Sequence, residues 1–355
     1  MDLTLLWFLL VGVLLIGYFV LDGFDFGVGM ALPFLGKDNV DRRLIINTIG
    51  PVWDLNETWL IVAGACLFAA FPEWYATMFS GFYLALLLIL VALIFRGVSF
   101  EYRHQGKGPK WTGWFDQFIF WGSLLPPLLW GTAFANLVQG LPIVPLETGG
   151  WVYTGTLLTL LNPYGLLGGL TVTLLCFTHG LVFIALKTVG DMRERARKLA
   201  TKVGIVTILV AAGFLTWTVL QRVGEPNFTA VLTLSALAAV ALVAGLVFNL
   251  MGREGWAFTF NAATIAFALL AIFTALFPYL MISNIDEAYS MSIQGAASSQ
   301  KTLELMTWVA AFTLPLVLVY QAWTYWIFRK RLSRDQIPAD DHEDTHSEDR
   351  AAVAA

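Results

Sequence analysis

The sequence predicts an all-α integral membrane protein with nine transmembrane helices. Of its 355 residues, 58% are apolar and only 13% are charged, and the mean hydropathy is +0.71. Soluble domains rarely have this composition. A bilayer core about 30 Å thick requires roughly 20 apolar residues in a helix, and the chain supplies such stretches repeatedly. We therefore expect a single membrane domain over residues 1–332.

Hydropathy, punctuated by Pro, Gly and charged residues, sets the boundaries of the nine spans. The first span follows Met1 and Asp2 without a basic segment, so we interpret it as a retained helix and not as a cleaved signal. We expect two four-helix bundles plus one additional helix, although no short repeat marks this division. The predicted spans cover residues 3–34, 45–71, 78–100, 115–140, 160–187, 203–221, 229–250, 256–282 and 303–328.

Basic residues are distributed unevenly between the two sides of the membrane. If the N-terminus is outside, all but two of the 21 Lys and Arg residues fall on the cytoplasmic side, the exceptions being Arg222 and Lys301. The positive-inside rule therefore predicts an outside N-terminus, an inside C-terminus and an odd number of spans. We interpret Arg96, and the basic loop at residues 193–198, as solvated groups at the cytoplasmic surface. The acidic tail, residues 333–355, has few large apolar residues, so we expect it to be disordered in the cytoplasm.

Four acidic residues lie within the predicted spans, where a central Asp costs about 2.5–3.5 kcal/mol on insertion scales. Asp22 and Asp25 are three residues apart in the first span, and Asp54 and Glu57 are three apart in the second. Residues with this spacing share one face of a helix. Intramembrane carboxylates are therefore the first candidates for a functional site.

Asp25 and Asp54 are expected to lie at similar depth in the membrane. They are separated from the basic residues of the first cytoplasmic loop by roughly 18 and 16 Å along a helix. Burial favours a neutral carboxyl group, which can exchange a proton where water or another carboxyl reaches it. We therefore predict a proton pathway that contains Asp54 and Asp25, with Glu57 and Asp22 beside them. The alternative is that these groups only form hydrogen bonds to neighbouring helices or to a partner subunit.

Small residues and one proline mark places where the first two spans depart from regular packing. Gly17, Gly23, Gly27 and Gly29 allow close approach of a helix, a cofactor or a partner, and close packing of helices alone is the favoured explanation. We also expect the first span to contribute to an interface with a partner subunit. The Gly50–Pro51 pair predicts a break in the second span, because proline lacks a backbone donor and clashes with the preceding turn.

The chain offers few ligands for a haem or a metal ion. His179 is the only histidine within a predicted span, so we interpret it as a hydrogen-bonded core residue and not as one of a haem-binding pair. Cys66 and Cys176 are isolated among apolar neighbours. His342 and His346 form an HExxH pattern, but in a tail where we expect no stable helix. We therefore expect neither a cofactor site nor a metal site in this chain.

Several short motifs between residues 5 and 330 resemble those of subunit II of cytochrome bd-type quinol oxidases. Their order and spacing carry the resemblance, since no single motif is diagnostic. The motifs are Val11–Gly17 and Asp22–Met30, Arg42–Arg43 before Trp53–Asp54, Phe68–Ala70, Phe79–Tyr83, Phe95–Arg96, Pro126–Pro127, Asn136–Gly140, Leu161–Leu167 and Met306–Val309.

The resemblance implies a heterodimer in the bacterial cytoplasmic membrane that acts as the terminal oxidase of an aerobic respiratory chain. Subunit I would carry a low-spin haem b, a high-spin haem b and a haem d, and would oxidise quinol while oxygen is reduced to water. Subunit II would be a haem-free partner that stabilises subunit I and helps to deliver cytoplasmic protons past the aspartates matching Asp25 and Asp54. Family members differ in small accessory subunits and in whether subunit II holds a structural quinone. Quinol and lipids are further expected partners, and nucleic acid is not.

A proton-coupled secondary transporter with its site at Asp25 and Asp54 is the second reading of the sequence. Transporters usually contain inverted repeats and broken helices around a site in the middle of the membrane. Here a single Gly-Pro interruption has no counterpart in the second half of the chain, so the sequence favours the oxidase subunit.

Overall fold

Long helices make up most of the structure, a computed structural model that describes residues 2–106 and 108–338. Twelve α-helices are present in this part of the chain. In order, they are α1 (Leu3–Leu35), α2 (Asn39–Ile49), α3 (Trp53–Ala70), α4 (Pro72–Gly81), α5 (Tyr83–Tyr102), α6 (Pro109–Gln139), α7 (Leu157–Leu160), α8 (Pro163–Lys187), α9 (Gly190–Gln221), α10 (Phe228–Leu250), α11 (Glu254–Leu276) and α12 (Gln300–Ile327).

The helices confirm the predicted all-α membrane fold. Among the described residues, eight helices are long and apolar enough to cross a membrane. The α2–α3 pair, bent by 47°, gives a ninth span if the two helices cross as one. The bend lies between Ile49 and Trp53, where Pro51 cannot continue the helical hydrogen bonds. The break predicted at Gly50–Pro51 is therefore present.

Several helices begin earlier than hydropathy predicts. Among them, the second starts at Asn39, the sixth at Pro109 and the ninth at Gly190, ahead of the expected residues 45, 115 and 203. The first turns of α9 are charged, so their composition does not distinguish them from a loop. The interpretation of residues 193–198 as a loop was wrong. These residues are helical, and the Arg195 guanidinium forms an ion pair with Asp41 at 2.8 Å.

The first helix lies at the centre of the packing. It contacts α3, α6, α8 and α11, whereas α8, α9, α10 and α11 pack against one another and α5 packs against α6. Within the described residues, the last long helix, α12, packs mainly against α1 and α3, and most of its side chains are exposed. An additional outer helix is thus observed, while the division of the other eight into two bundles stays a prediction, because α1 and α6 also pack against α8.

Gly27 and Gly29 of α1 allow close packing against other helices of the same chain. Gly27 crosses Gly180 of α8 so closely that a Cβ atom on Gly27 would lie 2.1 Å from the Cys176 carbonyl oxygen. A Cβ atom on Gly29 would lie 2.0 Å from the Ser123 hydroxyl of α6. The close packing favoured for these two glycines is confirmed, because the space that they leave is filled by neighbouring helices of the same chain. The contribution of the first span to a subunit interface stays a prediction.

Two short hairpins cover the end of the fold that the charge distribution predicts to lie outside. The main-chain N–H of Leu141 donates to the Ile282 carbonyl at 2.8 Å and joins the two hairpin regions. The hairpins pair antiparallel strands, β1 (Ile143–Pro145) with β2 (Trp151–Tyr153) and β3 (Tyr279–Met281) with β4 (Met291–Ser292).

The segment that follows α12 is attached to the opposite end of the fold. The Leu332 N–H donates to the Lys187 carbonyl, and the Leu332 carbonyl accepts from the Val189 N–H at the junction of α8 and α9. The Arg334 guanidinium reaches Asp38 and Asp41 at the start of α2, at 2.5 and 2.6 Å.

The expected disorder of the tail was therefore wrong for residues 333–338. They are described, and they include a short 3-10 helix at Arg334–Gln336. The physical reason is that this part of the tail contains one basic residue, Arg334, which pairs with Asp38 and Asp41 at the start of α2. Residues 339–355, which include the HExxH pattern, lie outside the described residues.

Candidate functional site

Two carboxylates and one arginine form a buried ionic cluster between three helices. One guanidinium nitrogen of Arg96, on α5, lies 2.6 Å from Asp22 of α1 and 2.5 Å from Glu57 of α3. The side chains of Asp22 and Arg96 are fully buried, and that of Glu57 is 22% exposed. The Arg96 guanidinium also lies over the ring of Phe26, 4.3 Å from its centroid. The interpretation of Arg96 as a solvated surface group was therefore wrong.

Asp25 lies beside this cluster, with a neutral partner. Its Oδ2 accepts a hydrogen bond of 2.7 Å from the side-chain amide of Asn56, the residue before Glu57 on α3. Both Asp25 and Asn56 are fully buried. Because Asp22 and Asp25 share one face of α1, the charged cluster and the Asp25–Asn56 pair are neighbours.

The polar groups continue from Asn56 to the outermost helix. The Asn56 side-chain oxygen accepts hydrogen bonds from the Gln321 amide at 3.2 Å and from the Tyr325 hydroxyl at 2.8 Å, both on α12. The Gln321 oxygen in turn accepts from the Trp59 indole at 2.7 Å. The predicted proton pathway contained carboxyl groups only, so these neutral residues were missed. The four-residue spacing of Gln321 and Tyr325 in an apolar span is the signal that was available.

Several polar atoms of the site retain hydrogen-bonding capacity. Asp25 Oδ1 and the Nε and Nη1 atoms of Arg96 are buried and form no hydrogen bond with any described residue. Buried groups of this kind are the usual binding positions for internal water. The arrangement can thus support proton exchange through water at Asp25.

Asp54 does not join the buried site. It lies in the first turn of α3 with an exposed side chain, two residues before Asn56. At 100° per residue, these two side chains leave α3 in nearly opposite directions. The sequence predicted that Asp54 and Asp25 lie at similar depth in one proton pathway. In the structure, Glu57 and Asp22 meet at Arg96, Asp25 lies next to them, and Asp54 lies on the outer surface of the third helix.

An exposed stripe on α3 continues from Asp54. Thr58, Ile61, Ala65 and Phe68 are also exposed and recur at three- and four-residue intervals, so they follow one face of the helix. The stripe is polar at its start and apolar beyond it. We call these five residues the α3 stripe.

The residues around His179 do not fit a haem. This side chain is fully buried, one ring nitrogen lies 3.2 Å from the Val20 carbonyl oxygen, and the ring is stacked on Phe258 at 4.4 Å. It is thus a hydrogen-bonded core residue, as predicted. In the described part of the chain, no three His, Cys, Asp or Glu residues are grouped so as to hold a metal ion.

An apolar cavity of about 310 Å³ lies between α1, α3, α4, α5 and α6. Its lining includes Trp74 and Trp130 among mostly aliphatic side chains. The indole N–H groups of both are buried and have no acceptor among the described residues. The cavity therefore has an apolar lining, and two of the residues that line it carry indole N–H groups without an acceptor among the described residues.

Comparisons with known proteins agree on one family. The family described as "Cytochrome bd terminal oxidase subunit II" matches residues 3–328. The chain is 42% identical to cytochrome bd ubiquinol oxidase subunit 2 of Bacillus subtilis, covering 93% of this chain and 97% of that protein. It is 39% identical to cytochrome bd-I ubiquinol oxidase subunit 2 of Escherichia coli K12, covering 96% and 98%. A chain in the structure of the bd oxidase from Geobacillus thermodenitrificans matches with a TM-score of 0.71 at 18% identity over 92% of this chain and 99% of that chain, which supports the fold alone.

Proposed function

The chain belongs to the subunit II family of cytochrome bd terminal oxidases, and we propose that it is the haem-free subunit that stabilises subunit I and helps to conduct protons to it. In this role the complete oxidase transfers electrons from quinol to oxygen, and subunit I binds its haems b and d. Those haems supply the oxygen chemistry when bound. The groups around His179 do not suit haem ligation, so the contribution of this chain is to packing and protons.

The Asp25 site is the observation that carries the proton role. A fully buried carboxyl group held by a neutral amide has no counter-ion hydrogen-bonded to it, unlike Asp22, which pairs with Arg96. Such a carboxyl is costly to keep ionised in the membrane. It is therefore suited to taking up a proton and releasing it, whereas Asp22 and Glu57 are held by a cation and serve mainly to support the site.

The position of Asp54 supports proton transfer between this chain and subunit I. Its carboxylate is exposed on a helix that crosses the membrane, where contact with hydrocarbon is unfavourable. A polar or hydrated surface of subunit I against the α3 stripe removes that cost. Asp54 would then receive protons at the subunit boundary, and Asp25 would exchange them within this chain.

A quinone or another apolar molecule with carbonyl acceptors fits the cavity next to Trp74 and Trp130. The aliphatic lining suits an isoprenoid tail, and each indole N–H is a donor without an acceptor among the described residues. We propose this cavity as the place of a structural quinone in this subunit. Trp74→Phe with Trp130→Phe should lower the quinone content of organic extracts per mole of haem, and unchanged content would reject the assignment.

The transporter reading has less support. It explains the buried carboxyl groups equally well, but family membership favours the oxidase subunit. A visible spectrum of the purified complex separates the two, because a haem d band with a second, co-purifying subunit is expected only for the oxidase.

The central experiment replaces each carboxyl group by an amide of nearly equal size. Asp25→Asn and Asp54→Asn should leave haem content intact and slow quinol-driven oxygen uptake about tenfold or more, each factor of ten being ~1.4 kcal/mol on the limiting barrier. The control is Glu304→Gln, an exposed residue near the outer end of α12. Full turnover per haem d in Asp25→Asn would remove this residue from the pathway, and lost haem would assign it a structural role.

A further inference from the structure

The outermost helix takes part in the Asp25 site although it is scarcely packed. Most of its side chains are exposed, and Gln321 is one of only three buried residues in α12. Gln321 and Tyr325 lie one turn apart, and both donate to the oxygen of Asn56. A helix with so little buried surface thus directs two of its inward polar groups at one side chain.

The Trp59 indole fixes which group donates and which accepts in each of these hydrogen bonds. The Trp59 indole is a donor only, so the Gln321 oxygen must face it. The Gln321 amide nitrogen must then face Asn56 and present a donor. With its oxygen occupied by this donor and by the Tyr325 hydroxyl, Asn56 can offer Asp25 only its amide N–H. If the Asn56 amide were reversed, its N–H₂ group would face the N–H₂ group of Gln321. Two donors facing each other in a buried site are strongly unfavourable.

We propose that Gln321 and Tyr325 are positioning residues which, through Asn56, hold a hydrogen-bond donor against Asp25 and so set how readily this carboxyl exchanges its proton. This inference rests on the proposed proton role of Asp25. It assigns α12 a part in the proton site in addition to its place in the fold.

The attachment of α12 to the protein does not depend on these bonds. At the outer end, the Trp7 indole donates to the Leu303 carbonyl at 3.2 Å and to the Thr307 hydroxyl at 3.0 Å. At the other end, the segment after α12 is bonded to the junction of α8 and α9 and to the start of α2. Loss of a single central hydrogen bond should therefore leave the helix in place.

The charged surroundings of Asp25 are also independent of α12. The ionised groups nearby are Asp22 on the same helix, Glu57 on α3 and Arg96 on α5. Changes at Gln321 or Tyr325 leave all three in place. An effect of Tyr325→Phe on Asp25 should then pass through the Asn56 amide, whereas Gln321→Met also removes the acceptor of the Trp59 indole.

The test uses the intact oxidase complex with Tyr325→Phe and, separately, Gln321→Met. Each variant keeps the approximate size of the side chain and removes the donor to Asn56. We expect unchanged haem content, an unchanged KM for quinol, and a kcat about threefold to tenfold lower. Tyr320→Phe is the matched control, since Tyr320 lies on the same helix with a side chain that is 54% exposed. It should turn over like the unmodified enzyme.

A double-mutant comparison separates positioning from a general loss of packing. In an Asn56→Leu background, Tyr325→Phe should cause no further decrease in kcat, because the group through which it acts is gone. Infrared difference spectra of oxidised and reduced enzyme give a second readout. The carboxylic acid band that Asp25→Asn abolishes should shift in Tyr325→Phe and Gln321→Met but not in Tyr320→Phe.

Failure of this inference can be distinguished from failure of the proposed function. If Asp25→Asn is slow while Tyr325→Phe and Gln321→Met run at full rate with an unshifted band, only the positioning role is overturned. The same follows if Tyr325→Phe lowers kcat equally with and without Asn56. If Asp25→Asn itself runs at full rate, the proton role and this inference fall together.

Discussion

The guanidinium of Arg96 lies 2.6 Å from the carboxylate of Asp22, and both side chains are completely buried. The two residues are separated by 74 positions in the chain and lie on the fifth and first helices. Glu57 of α3 joins the same guanidinium, so one cation links three helices. Asp22 and Glu57 therefore share the cation of this site, whereas the buried Asp25 carboxyl is hydrogen-bonded to the neutral Asn56 amide.

Removal of the Arg96 charge should destabilise the subunit strongly. Arg96→Gln leaves Asp22 and Glu57 without their cation, and breaking a buried ion pair from one side costs about 3–5 kcal/mol. We expect a low yield of assembled complex and a lower unfolding temperature, with partial recovery in Arg96→Gln combined with Asp22→Asn. A wild-type unfolding temperature for the single variant would show that the cluster contributes little.

The contact of Gly27 with Gly180 should not tolerate even a methyl group. In Gly27→Ala, the new Cβ atom would meet the Cys176 carbonyl oxygen and the Gly180 backbone, so α1 and α8 must separate. Overpacking of this kind costs about 1–3 kcal/mol. Gly213→Ala is the matched control, since a Cβ atom there meets nothing within 4 Å. Its effect should be neutral or stabilising by up to about 1 kcal/mol, because Ala favours a helix. The measurement is the thermal unfolding temperature of both variants. Equal unfolding temperatures for Gly27→Ala and Gly213→Ala would contradict the prediction.

The α3 stripe should be a contact surface for subunit I. Ile61 in the stripe and Leu209 on α9 are both 70% exposed in the single chain. Ile61→Trp adds bulk where a close-packed partner is expected, whereas Leu209→Trp adds it to a different exposed face. We expect the first variant to reduce the subunit I that co-purifies severalfold and the second to leave it unchanged. Equal recovery of subunit I would move the interface away from the stripe.

Attachment of the segment after α12 should depend on pH and salt. Partial burial opposes ionisation of Asp38, but hydrogen bonds from the Asp41 N–H and the Arg334 guanidinium outweigh it and lower the pKa of Asp38. Because the pKa of Asp38 is lower in the folded state, its ionised form stabilises that state at pH values above its unfolded-state pKa of about 4. This stabilisation is lost as the pH falls through the folded-state pKa of Asp38.

Hydrogen exchange of residues 329–338 measures this attachment. Arg334→Gln should increase exchange at pH 7 and low salt, with a smaller difference at high salt because the pair is exposed and screened. The difference should become smaller as the pH falls through the folded-state pKa of Asp38, because Arg334 then keeps only its pairing with Asp41. A pH-independent difference between the two proteins would show that Asp38 does not contribute.

Several features of the protein could be predicted from local sequence. The lengths of apolar runs predict the spans, because each helix must cover the bilayer core within one continuous segment. Pro51 predicts the break between α2 and α3, because the missing N–H acts on adjacent residues. Asp22 and Asp25 on one face of α1 likewise follow from helical geometry alone.

The partners of these residues were decided by tertiary structure. The close crossing of Gly27 and Gly180 sets how α1 lies against α8, and the rotation of each helix about its axis decides which side chains turn inward. On α3 that rotation buries Asn56 and exposes Asp54, although both are polar and only two residues apart.

The sequence by itself determined a nine-span membrane protein with carboxyl groups in its first two spans, because apolar length and residue spacing are local properties. Only the tertiary structure brought Arg96 to Asp22 and Glu57, and Gln321 and Tyr325 to Asn56. These pairings join residues on helices that are distant in the chain. They depend on packing between helices, which hydropathy does not encode.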